Sequence, residues 1–92
     1  MRTTYYATLP DGRVVERSTA RSYSHAVAIR PSIPAELTAH AWEREHHHGK
    51  WGIVGFCGSR ILADKLAAKE RRYYQFIGAS VEITILATRE TP

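Results

Sequence analysis

The feature that most constrains this chain is a punctuated run in its second half, residues 51–87. Trp51-Gly52-Ile53-Val54-Gly55-Phe56-Cys57 carries no charged residue and reads as a strand buried on both faces. Gly58-Ser59 ends it, and Ser59 is a good N-cap for a following helix. Within that helix Leu62, Leu66, Tyr73 and Ile77 recur at spacings of 4, 7 and 4, one face of a 3.6-residue period. Gly78 then closes the helix from the left-handed region. Val81, Ile83 and Ile85 alternate with Glu82 and Thr84 as a last strand. Strand, helix and strand make a βαβ unit if both strands share a sheet, and as neighbours they would run parallel with a right-handed crossover.

The first thirty residues read as a three-stranded meander. Tyr5, Ala7 and Leu9 alternate with Thr4, Tyr6 and Thr8, and Leu9-Pro10-Asp11-Gly12-Arg13 is a hairpin signal. Proline presets φ, aspartate bonds back to the chain, and glycine tolerates a positive φ, which points to a type I turn plus bulge. The return strand is Arg13 to Ser18, and a third run, Tyr23 to Ile29, puts Tyr23, His25, Val27 and Ile29 on one face. Between the halves, Ser32 caps a helix with Pro34 in its first turn, running Ala35 to His47. Its apolar face, Leu37, Ala41 and Trp42, is thin, so it docks loosely and frays toward Gly49. The sum is a single α+β domain over residues 1–92, ordered β-β-β-(α)-β-α-β. A mixed sheet of about five strands carries the main helix on one face. The expected core centre is Ile53, Val54, Phe56, Leu62, Leu66, Val81, Ile83 and Ile85.

Composition narrows the address. A lone cysteine, Cys57, excludes an internal disulfide framework and any multi-cysteine zinc module. No apolar run reaches the length of a signal peptide or a membrane span, which points to the cytoplasm and away from a membrane partner. The net charge is +4, carried by 13 Lys and Arg, of which 10 are Arg, against 9 acids. That excess permits nucleic-acid contact without demanding it.

Four constellations bear chemistry. His40, Glu43 and His47 share one helical face, and with His46 they offer imidazole and carboxylate donors for zinc, nickel or iron. The His-Glu-x-x-His zinc pattern is absent because Ala41 follows His40. Cys57 sits where a strand meets a helix, a place that can activate a thiol. Ala63 and Ser59, however, stand where phosphatase and nucleophile-elbow patterns need Arg and Gly, so Cys57 reads as a small packing residue. Gly58, Ser59 and Arg60 offer the amides of any helix start. The fullest signal is a basic ridge: Lys65, Lys69 and Arg72 at i, i+4 and i+7, with Arg60 and Arg71 on the same helix and Tyr73 and Tyr74 following. Cations beside aromatics suit a phosphate-tracking surface.

On Arg21-Ser22-Tyr23-Ser24-His25-Ala26-Val27, Trp51-Gly52-Ile53-Val54-Gly55-Phe56, Gly58-Ser59-Arg60 and Leu62-Ala63, the chain resembles small uncharacterised proteins of actinobacteria and their phages. Those have a polar hairpin, an Arg/Thr-Tyr-x-His-Ala-Val strand, and a Trp-led strand entering an Ala-rich helix. The resemblance covers most of the chain outside residues 30–50. It implies a phage accessory or small host protein, transfers no catalytic residue, and makes His25 the position of interest.

Three functions follow as expectations. The first is a non-enzymatic interaction protein without a cofactor, binding a host protein through exposed Tyr6, Trp42 and Tyr74. The second is a nucleic-acid-binding module using Arg60, Lys65, Lys69, Arg71 and Arg72. The third is a metal protein using His40, Glu43 and His47. A homodimer through an open edge of the first or last strand is a further expectation.

Overall fold

The computed structural model describes residues 2–91 and is an α+β fold of two antiparallel sheets and two α-helices. In chain order these are β1 (Thr3–Thr8), β2 (Val14–Thr19), β3 (His25–Ser32), a 3-10 turn (Thr38–His40), α1 (Ala41–His47), β4 (Gly52–Cys57), α2 (Arg60–Ile77) and β5 (Ser80–Ala87). The hairpin forms as the turn chemistry requires. Gly12 N–H donates to the Leu9 carbonyl at 2.9 Å, and Gly12 takes φ 93°. Asp11 Oδ1 accepts from Arg13 N–H at 3.1 Å.

The meander and the single five-stranded mixed sheet are both corrected. β1 and β2 pair only with each other, while β3 is the middle strand of a separate sheet ordered β4-β3-β5. β3 carries apolar side chains on both faces, Val27 and Ile29 on one and Ala26 and Ala28 on the other, all buried. A strand of that kind gains most with a partner on each side and cover on both faces. β4 and β5 each run antiparallel to it, so they are parallel to each other with β3 between them. The two sheets meet at one antiparallel bridge, where Tyr6 N–H donates to the Arg89 carbonyl at 2.7 Å and Arg89 N–H returns at 3.0 Å.

The hairpin covers one face of the three-stranded sheet. Its Tyr5, Ala7 and Leu9 are buried, and Tyr5 meets Tyr23 edge-on at 5.7 Å, which in turn meets Phe56 at 5.8 Å. α2 covers the other face, where Val27, Ile29, Ile33 and Cys57 pack with Ala63, Ala67 and Tyr74. The ends of α2 are set locally. Ser59 Oγ accepts from Leu62 N–H at 3.2 Å. At the other end Ala79 N–H donates to the Tyr74 carbonyl (2.8 Å) and Gly78 N–H to that of Gln75 (3.2 Å), with Gly78 at φ 85°, a Schellman closure.

The expected core centre is corrected throughout: Leu66, Val81, Ile83 and Ile85 only border the core, Ile53 and Phe56 are half-buried outside it, and Val54 and Leu62 are exposed. Val54 is exposed because β4 bulges there: Val27 faces Gly55 and the next residue, Ala28, faces Ile53, leaving Val54 unpaired on the edge strand. Leu62 is exposed because α2 turns a different face inward. Ala63, Ala67 and Tyr74 are buried, whereas Leu66 and Ile77 only border the core. The helix lies close over β4: a Cβ on Gly55 would stand 2.8 Å from Leu66 Cδ2.

The expected helix over 35–47 is reduced to the 3-10 turn and α1, and Ser32 ends β3 instead of capping a helix. α1 buries no residue and is held by polar bonds around Ile33. His48 Nδ1 accepts from Ile33 N–H at 2.9 Å, and Arg44 Nε donates to the Ile33 carbonyl at 2.8 Å. Among the described residues, no helix is long and apolar enough to cross a membrane.

Candidate functional site

α2 has two unlike sides. At about 100° per residue, Lys65, Lys69 and Arg72 fall within one outer sector about 120° wide, and Ile61, Leu62, Tyr73 and Phe76 fall in the same sector. All seven are exposed, Phe76 at 90%, Ile61 at 68% and Leu62 at 51%. Among the described residues, Lys65, Lys69 and Arg72 make no ion pair. The other two cations of the expected ridge lie elsewhere. Arg60 and Arg71 project from the opposite flank, and Arg60 Nε holds Asp64 Oδ1 at 3.1 Å.

Tyr73 is oriented by α1. Its hydroxyl donates to the Glu43 carboxylate, with both oxygens at 2.7 Å, and Glu43 Oε1 also meets His40 Nδ1 at 2.9 Å. The His40 bond first, and the Tyr73 bond second, hold the Glu43 carboxyl below the usual carboxylate range. The same carboxylate pushes the Tyr73 phenol up to about 12. Glu43 thereby keeps Tyr73 protonated and its ring fixed at the C-terminal end of the stripe.

The histidines take structural positions. His46 stacks on Trp42 at 4.2 Å and His47 meets it at 5.9 Å, while His40 serves Glu43. Among the described residues no three His, Cys, Asp or Glu side chains gather as a metal would need. Cys57 is buried in the core beneath α2, and burial pushes its thiol pKa up, away from the reactive thiolate.

Of the three expected anchors, Trp42 is exposed at 65%, and Tyr6 is half-buried at the bridge between sheets. Tyr74 is corrected: it is 5% exposed and part of the core, because position 74 shares the inward face with Ala63 and Ala67. Burial is also what raises its phenol pKa. Sequence reasoning missed Ile61 and Phe76. The available signal was a helix with large apolar residues in one sector and alanines in the opposite one.

A cleft of about 620 Å³ lies beside the start of β4, lined by Arg13, Arg30, Lys50, Trp51, Asp11 and Glu70 among others. Its guanidinium groups are already engaged. Arg13 holds Asp11 at 2.9 Å and donates to the Trp51 carbonyl, while Arg30 pairs with Glu82 and lies 5.3 Å from the Trp51 ring centre. The outer stripe of α2 is therefore the stronger site, since its cations and its large apolar side chains are both unspent. Compared with family models, curated proteins and solved structures, the chain matches none.

Proposed function

We propose that this chain is a small non-enzymatic binding protein that engages a host macromolecule through the outer stripe of α2. One observation carries the reading: Ile61, Leu62 and Phe76 are exposed on the same face as Lys65, Lys69 and Arg72, which make no ion pair among the described residues. Fully burying one such side chain is worth about 1.5–3 kcal/mol, and a few anchors of that size dominate ordinary interfaces. That the target belongs to a host cell is an expectation from the resemblance read on residues 21–27 and 51–63. Capture from an actinobacterial lysate tests this with wild type and the Leu62→Ser/Phe76→Ser variant. A partner retained by wild type and lost by the variant supports it. Equal capture by both, or none by either, overturns it.

The same ridge favours a second reading, nucleic-acid binding, because Lys65, Lys69 and Arg72 stand beside the Tyr73 and Phe76 rings. Three phosphate contacts on duplex DNA would give a log–log salt slope near about −2.7. Salt-independent binding, or none at low salt, rejects that reading.

A further inference from the structure

The stripe has an order along its length. Ile61 and Leu62 stand at its N-terminal end, Tyr73 and Phe76 at its C-terminal end, and Lys65, Lys69 and Arg72 between. From Ile61 to Phe76 the helix rises about 22 Å. No acid within the stripe competes for these cations. Asp64 is tied to Arg60, Glu70 falls about 60° outside the sector and makes no ion pair with these cations among the described residues, and Glu43 of α1 is turned to His40 and Tyr73.

We infer that the partner element seated on α2 is an acidic amphipathic helix of another protein, with carboxylates in its middle turns and apolar residues at both ends. This rests on the outer stripe being the binding surface. A helix is the element whose contact ridge matches a straight, convex stripe of this length and width. Carboxylates across the centre would pair with Lys65, Lys69 and Arg72, while the apolar ends bury against Ile61, Leu62 and Phe76.

The rival occupants fit less well. A second copy laid antiparallel would bring Leu62 to Phe76 but would set Lys69 against Lys69 and three cations against three. Like charges across an interface disfavour that pairing. Nucleic acid would satisfy the cations and stack on Tyr73 and Phe76, yet it would leave aliphatic Ile61 and Leu62 facing a charged backbone. A lipid surface suits helices whose cations flank the apolar face, whereas here the cations occupy its centre.

The test uses a synthetic 18-residue helical peptide with central Glu residues and Leu at both ends, beside a twin with Lys for Glu. A 20-base-pair DNA duplex and anionic phosphatidylglycerol vesicles complete the probes. Shifts of the backbone amides on titration locate binding on the full chain. The expected result is binding of the Glu peptide at least tenfold tighter than its Lys twin, with shifts centred on residues 61–76. Charge reversal, Lys65→Glu/Lys69→Glu, should weaken the Glu peptide at least tenfold and improve binding of the Lys twin. Equal binding of the two peptides, absence of binding, or shifts centred elsewhere overturns the inference. If the duplex or the vesicles bind this stripe more tightly than the Glu peptide, or the free protein dimerises through it, the inference fails while the stripe remains the binding surface. If Leu62→Ser/Phe76→Ser changes none of these interactions, the underlying reading of the surface fails as well.

Discussion

The two faces of α2 reverse the usual arrangement of a surface helix. Inward it buries two alanines and a tyrosine; outward it shows an isoleucine, a leucine and a phenylalanine. In most surface helices the larger apolar residues face the core. Here the inner face is built for closeness, with Gly55 admitting Leu66 from above and Ala63 and Ala67 letting the helix backbone settle on the sheet. The larger apolar side chains stand outside, beside cations that make no ion pair among the described residues. The difference separates the face packed in the core from the face left exposed.

The largest expected effect breaks the inner face. Ala63 is fully buried against β3 and β4, so Ala63→Leu should destabilise by about 1–3 kcal/mol through overpacking. Denaturant unfolding measures it, and a neutral result would mean that the helix packs more loosely than described. Next is the cap. Ser59→Ala removes the acceptor of Leu62 N–H and should cost about 1 kcal/mol in the same assay.

The Tyr73–Glu43 contact, which joins the outer stripe to α1, is read by pH. Tyr73 has a folded pKa raised from 10.0 to about 12, so its stabilising contribution is complete below pH 10 and is lost as pH rises toward 12. An alkaline absorbance titration should show Tyr73 and Tyr74 ionising above the ordinary phenol range, and the Tyr73 share, near pH 12, should vanish in Tyr73→Phe. Glu43 has the opposite sign. Its folded pKa lies below the ordinary 4.5, so its contribution is present above that value and is lost as pH falls through the lowered one. The stability gap between wild type and Glu43→Gln should shrink accordingly in acid.

The smallest effect sharpens the comparison from outside. Phe76→Ser removes a side chain that is 90% exposed, so stability should stay within about 0.5 kcal/mol of wild type. Binding through the stripe should fall. A large loss of stability would show that the outer face carries fold energy after all.

Legibility followed the range of the interaction. The hairpin turn at Pro10-Asp11-Gly12, the cap at Ser59 and the stop at Gly78 rest on bonds between residues a few positions apart, and all three stand in the structure. The basic ridge was legible as spacing, but only three of its five cations share the outer sector. The histidine cluster was legible as composition, yet Glu43 is consumed by His40 and by Tyr73, 30 residues away. Residues 33–50 were read least well because α1 is docked by hydrogen bonds to the backbone of Ile33, which leave no apolar period.

The sequence by itself determined the α+β class, the edges of the hairpin and the ends of α2, because turn and cap chemistry act through neighbouring residues. Only the tertiary structure decided that β3 sits between β4 and β5 and that α2 faces inward through its alanines. Strand pairing is chosen by burial summed over the whole chain, and a helix apolar on two sides has two faces able to turn inward. The close approach of α2 to the sheet at Gly55 accompanies the alanine face, and it leaves the +4 chain with a cationic, apolar stripe exposed on the outer face of the helix.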